Sequence, residues 1–229
     1  MTLIQFDFCR TEYEFLREGE KLKRELKHLY NLKCLETHKI AVIYIGEDQY
    51  DKMNILSNET GSYLYDDFVS RLGTLVKLKE HKGFAGGLLR NGQNGIVAPY
   101  YCTPSLLQVI FHVSTLLQPS SEFFQKMKHI GNDEVHIVWC ECKMEYSSEI
   151  IPTKFGEVTI VIYPLYNALF SIQIIKKTKT CMFGPLCDGA VVDGLILPDL
   201  IRLTAINAGR ALREMRNFYQ NLLASIFSI

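Results

Sequence analysis

Lys39-Ile40-Ala41-Val42-Ile43-Tyr44-Ile45-Gly46 is a continuous apolar run closed by a glycine. A strand with one wet face alternates apolar and polar side chains, so a run without alternation belongs to a strand covered on both faces. Such a strand needs helices above and below its sheet. Downstream, Ser62 predicts the cap of a helix reaching about Leu72, with Tyr65, Phe68, Val69 and Leu72 on one side and Gly73 at its end. Residues 75–78 alternate and read as a strand. So do residues 108–114, with Val109, Phe111 and Val113 set against Gln108, His112 and Ser114. Ser120 or Ser121 predicts the cap of a short helix through about Met127, with Glu122 in its first turn. Residues 134–140, 158–163 and 169–176 read as three further strands, the second ended by Pro164. Turns are expected at Gly184-Pro185 and Asp193-Gly194. A long helix follows from about Pro198, its apolar stripe formed by Leu200, Leu203, Ile206, Leu212, Met215 and Tyr219. At the other end, Phe15, Leu16, Leu22, Leu26 and Leu29 predict a helix over residues 11–32, either packed on the domain or presented to a partner. The pattern is that of one α/β domain with helices at both ends.

Composition narrows the function. The 229 residues carry 25 basic and 25 acidic side chains, so broad attraction to nucleic acid or an anionic membrane is not indicated, and any basic site is local. Hydrophobic residues at 48% and charged residues at 22% fit a packed core rather than disorder. Seven cysteines in irregular spacing, with no C-x-x-C pair, read as reduced thiols of a cytoplasmic protein and not as a zinc site. The start MTLIQFDFCR lacks a basic leader, and no apolar run of about 18 residues is present, so neither a signal peptide nor a membrane span is expected.

Familiar catalytic patterns are missing. The five glycines at positions 83, 86, 87, 92 and 95 read as a hairpin loop. Arg90-Asn91-Gly92-Gln93 supplies neither the lysine nor the hydroxyl of a phosphate-binding loop, and no dinucleotide fingerprint occurs. There is no G-x-S-x-G elbow. His112 reads as a satisfied core or surface histidine. Lys126-Met127-Lys128-His129-Ile130-Gly131-Asn132-Asp133 differs from these. Two lysines and a histidine lead into Gly-Asn-Asp at the mouth of a strand, where a basic cluster can meet an anionic partner. By spacing alone, Gly131-Asn132-Asp133 is a helix-ending turn.

Several motifs in order resemble the Rap-GAP domain family, the GTPase-activating proteins of Rap, Rheb and Ral. They are residues 40–46 with Glu47-Asp48-Gln49, Ile55-Leu56-Ser57-Asn58 with Gly61-Ser62 and Phe68-Val69, His81-Lys82-Gly83-Phe84-Ala85-Gly86-Gly87-Leu88, Ile110-Phe111-His112-Val113-Ser114-Thr115, and His129-Ile130-Gly131-Asn132-Asp133 with Val135. The resemblance spans residues 39–222. Residues 134–139, 151–156, 170–174, 183–186 and 204–208 are most similar to the catalytic domain of Ral GTPase-activating protein α subunits, which are much longer proteins. It implies a single Rap-GAP-type domain, residues 39–229, with a central mixed sheet flanked by helices. Residues 1–38 form an N-terminal helical extension, and a long helix closes the domain. It also implies a catalytic activator acting in trans on a Ras-family small GTPase (Ral, then Rheb or Rap), with a β-type GAP subunit as a heterodimer partner. Asn132 would be the catalytic asparagine thumb. His129, Lys128, Lys126, Asp133 and Lys82 would bind the GTPase. No cofactor of its own is expected, because GTP and Mg are carried by the GTPase. A GAP-like scaffold that binds without accelerating hydrolysis is the alternative.

Overall fold

The computed structural model describes residues 35–104, 107–117, 123–153, 155–177 and 182–215, together with residues 19, 20, 23, 24 and 27. The chain divides into two units, residues 35–221 and residues 1–34 with 222–229. In the smaller unit Glu20, Lys23, Arg24 and Lys27 are helical. The rest of the helix expected over residues 11–32 lies outside the described residues, as does Tyr219.

Eight strands form one sheet in the larger unit. In chain order the elements are β1 (Glu36–Ile45), α1 (Lys52–Leu56), α2 (Tyr63–Leu72), β2 (Thr74–Lys77), β3 (Val97–Thr103), β4 (Leu107–Val113), α3 (Phe123–Ile130), β5 (Val135–Cys140), β6 (Val158–Pro164), β7 (Leu169–Lys176), β8 (Val191–Asp193) and α4 (Leu197–Glu214). The spatial order is β2-β3-β4-β1-β5-β6-β7-β8. The central β4, β1, β5 and β6 run parallel, and antiparallel pairs close both edges. The sheet is therefore mixed, and β1, the strand read from the unbroken apolar run, sits at its middle. Ile40 and Val42 turn to one face, against Tyr65, Phe68, Val69 and Leu72 of α2 and Leu197, Ile201 and Ala205 of α4. Ala41, Ile43 and Ile45 turn to the other, against Ile55 and Leu56 of α1 and Ile130 at the end of α3.

Two expectations shift. β4 is covered on both faces instead of alternating, because it lies beside β1 within the parallel core. The buried face of α4 includes Ile206 and Leu212 of the expected stripe together with Leu197, Ile201, Thr204, Ala205 and Ala208, while Leu203 and Met215 are exposed. Ala205 and Ala208 carry little hydrophobic signal, so the sequence pattern did not mark their part of the buried side.

On the first face Trp139 is fully buried among Tyr65, Phe68 and Phe170, with ring centroids 6.0, 5.2 and 5.3 Å away. Its indole Nε1 donates to Glu141 Oε1 at 2.9 Å, and Glu141 Oε2 accepts from the Tyr44 hydroxyl at 2.7 Å. Ser62 caps α2 by accepting from the Tyr65 amide and also donates to Glu141. Phe68→Ala should lower stability by about 3–5 kcal/mol through the cavity it leaves. Ser62→Ala should cost about 1 kcal/mol through loss of the cap. Urea denaturation of both variants checks the order, and equal losses would contradict it.

Candidate functional site

α3 runs three residues further than its expected end, to Ile130, and this decides where the basic cluster points. Lys128 and His129 occupy its last turn, and Gly131-Asn132 forms the turn that leads to β5. The backbone there is closed by Gly131 N donating to Met127 O at 2.7 Å, Asn132 N to His129 O at 3.3 Å and Asp133 N to Ile130 O at 3.2 Å. The helix-ending turn read from spacing is thus present.

Its two polar side chains go opposite ways. Asn132 is exposed, and its side chain makes no hydrogen bond among the described residues. Asp133 has 0% exposure. Its Oδ2 lies 2.8 Å from His112 Nδ1 of β4, and its Oδ1 lies 3.5 Å from Lys39 Nζ of β1. The His112 contact is off the N–H axis. The buried side-chain atoms lacking a hydrogen bond among the described residues are both ring nitrogens of His112 and both carboxylate oxygens of Asp133. Buried polar groups are nearly always satisfied, and exceptions gather where a structure is held ready for something else. Here all four adjoin the turn that carries Asn132.

His112 is enclosed from two more sides. The His129 ring stands edge-on to it with centroids 5.5 Å apart. Gly86 of the β2–β3 loop lies against its other nitrogen, where a Cβ would come within 2.9 Å of His112 Nε2 and 2.5 Å of Ile110 Cγ2. With φ at +61°, Gly86 is barred to a side chain by conformation as well as by space. The glycine-rich loop is a hairpin loop, as read, and it also covers the site. His129 is half-buried, and its pKa is held down to about 4, first by desolvation and then by His112. Its ring is therefore neutral at neutral pH.

Lys128 is exposed on the last turn of α3, where a cation suits the helix end. Lys82 is exposed on the β2–β3 loop. Lys126, expected at the partner surface, points inward instead. It is 5% exposed, and its Nζ donates to Leu56 O at 3.0 Å and Asn58 O at 3.4 Å, tying α3 to the end of α1. Asp133, also expected to touch the partner, is sealed beneath the turn. Lys39 and the pairing of His112 were missed from sequence. No local signal marks that pairing, because residues 108–114 read as an alternating strand in which a histidine is unremarkable.

Two cavities of about 300 and 390 Å³ open on the face that carries α2 and α4. The first is lined by Phe68, Trp139, Phe170 and Leu197, the second by Glu36, Tyr101, Arg202 and Arg210, and neither includes any residue of the Asn132 site. Among the described residues no group of three or more His, Cys, Asp or Glu is placed to hold a metal, and no helix is long and apolar enough to cross a membrane.

A carboxamide that is exposed and unbonded among the described residues, on a braced turn outside both cavities, suits action on another macromolecule. The Rap/ran-GAP family model matches residues 55–226, and the chain belongs to that family. It is 52% identical over 214 residues to human Ral GTPase-activating protein subunit alpha-1, covering 93% of this chain and 10% of that protein. Mouse Ral GTPase-activating protein subunit alpha-2 is also 52% identical over 214 residues, which are 93% of this chain and 11% of that one. The chain thus spans about a tenth of these relatives. A solved structure of the TSC2 GAP domain superposes with a TM-score of 0.68 at 29% identity, covering 76% of this chain and 95% of that one.

The depressed His129 pKa has a signed consequence. Between its folded value of about 4 and its ordinary 6.5, the unfolded chain binds the extra proton, so stability rises with pH across that window. His38 and His136, also lowered by burial, act in the same direction. The difference between wild type and His129→Gln isolates the one group: the variant should show the shallower rise in stability from pH 4 to 6.5 in urea melts. Equal slopes would contradict the buried, neutral ring.

Proposed function

We propose that this domain accelerates GTP hydrolysis by a Ras-family small GTPase, Ral first and then Rheb or Rap, by inserting Asn132 beside the nucleotide. The observation that carries the reading is the exposed Asn132 side chain, unbonded among the described residues, on a turn seated over the buried Asp133. Support for the substrate class comes from relatives named Ral GTPase-activating protein subunits and from the TSC2 GAP domain. The word subunit in those names supports a β-type GAP subunit as a further partner.

GTP and Mg belong to the GTPase. Small GTPases hydrolyse GTP slowly because the attacking water is poorly oriented and developing phosphate charge is poorly stabilised. A carboxamide has both a donor and an acceptor, so Asn132 can hold the water and a phosphate oxygen together. This is catalysis by positioning, and it needs no titrating group. Exposed Lys128 and Lys82 meet acidic groups of the partner. His129 braces the turn beside His112. Lys126 and Asp133 act inside the domain, holding α3 and the turn.

Single-turnover GTP hydrolysis by Ral, Rap and Rheb, with wild type and Asn132→Ala, tests the assignment. One GTPase should be accelerated about 10³-fold or more, by analogy with trans-acting arginine fingers. Asn132→Ala should lose that acceleration while folding and binding persist. Full activity in the variant overturns the thumb assignment. Binding without acceleration, with and without a β-type subunit, turns the reading into a scaffold. Lys128→Ala should weaken association and reduce its salt dependence with little change in the maximal rate.

A further inference from the structure

His136 is the second residue of β5, on the face that carries α3, and it is 2% exposed. Its Nε2 lies 3.1 Å from the carbonyl oxygen of Ile130 and 3.1 Å from that of Asp133. Both partners only accept, so Nε2 carries the proton and donates to both. Ile130 is the last residue of α3, and Asp133 follows Asn132. One ring nitrogen therefore bridges the two ends of the Gly131-Asn132 turn.

The ring is wedged from behind. A Cβ on Gly156 would lie 2.6 Å from His136 Cε1 and 2.5 Å from Thr153 Oγ1, so only glycine fits. Gly156 N donates to Thr153 Oγ1 at 3.1 Å, and Lys177 Nζ donates to Thr153 O at 2.7 Å. Next to it, Glu134 O accepts from Glu157 N at 2.9 Å and Val158 N at 3.2 Å. Thr153 and Gly156 thus back the ring, and Glu157 holds Glu134 just ahead of β5. Burial lowers the pKa of the ring, which keeps it neutral.

We propose that His136, wedged by Gly156, is a positioning residue for the catalytic turn: its Nε2–H clasps the carbonyls of Ile130 and Asp133 and thereby sets the reach of Asn132. This rests on the activator reading above. The ring is 2% exposed and its hydrogen bonds go to backbone carbonyls, so it acts on the rate through the backbone and leaves docking alone.

The test compares wild type, His136→Ala and His136→Gln in the full chain. Glutamine places an amide N–H near the position of Nε2. Turnover of the responsive GTPase gives kcat and KM, and amide hydrogen exchange at Asn132 and Asp133 reports the turn independently of activity. His136→Ala should lower kcat by about ten- to a hundredfold, the scale on which small misplacements act, with KM changed less than about threefold. Exchange at Asn132 and Asp133 should quicken about tenfold while the amides of β6 and β7 stay protected. His136→Gln should restore both. A wild-type kcat in His136→Ala, uniform loss of protection across β5–β7, or glutamine as impaired as alanine would overturn the proposal. If wild type accelerates no GTPase, the activator reading falls by itself, and the exchange data still decide whether His136 holds the turn.

Discussion

A carboxylate sealed from water must have positive or polar neighbours, because its solvation is lost and only local contacts replace it. Asp133 has Lys39 from β1 and His112 from β4. Those two reach it because the parallel register sets Lys39 beside Ile110, Ala41 beside His112 and Ile40 beside Val135. A slip of one residue in β5 would turn its side chains to the opposite face and leave Asp133 without either partner. The fixed register thus seats Asp133, and the turn then directs the preceding residue, Asn132, outward. Exposure of the amide is a consequence of burial of the acid.

Open parallel sheets commonly bind ligands beyond the carboxyl ends of their strands, at the point where the connections change direction. β1 is that point here, with β4 on one side and β5 on the other. Its carboxyl end is occupied: Tyr44 N donates to Ser114 Oγ at 3.3 Å, and Glu141 joins Tyr44, Trp139 and Ser62. The Asn132 turn stands at the opposite end, before the amino end of β5. A small-molecule enzyme needs a cavity to enclose its substrate. A group inserted into another protein's site needs a firm protrusion, and a helix-to-strand turn tied to a buried core supplies one.

Much of this architecture was legible because it follows from periodicity. The unbroken run of β1 and the stripe of α2 each read correctly, since burial on two faces or on one helical side leaves a distinct pattern. The α4 stripe was read correctly at Ile206 and Leu212 but missed Ala205 and Ala208, which bury as fully as leucine while carrying little hydrophobic signal. The site was legible only in part. Asn132 stood out through resemblance, and its local turn through Gly131. The inward course of Lys126 was hidden, because a lysine in a helix looks alike whether it faces water or a carbonyl. The roles of Lys39, His112 and His136 depend on register across strands distant in sequence, and no local pattern encodes that.

Charge at the site is distributed in keeping with the chain's balance of 25 basic and 25 acidic residues. Lys39 answers Asp133, Lys126 answers two carbonyls, and His129 and His136 are kept neutral by burial. Lys128 beside the turn and Lys82 on the covering loop are exposed, as are Lys79, Glu80 and Arg90 of that loop. Weak net charge gives little long-range steering, so recognition must come from shape at short range. An uncharged amide fits that economy. Its usefulness depends on where it is held rather than on its protonation, and the polar residues beneath the turn are arranged to hold it.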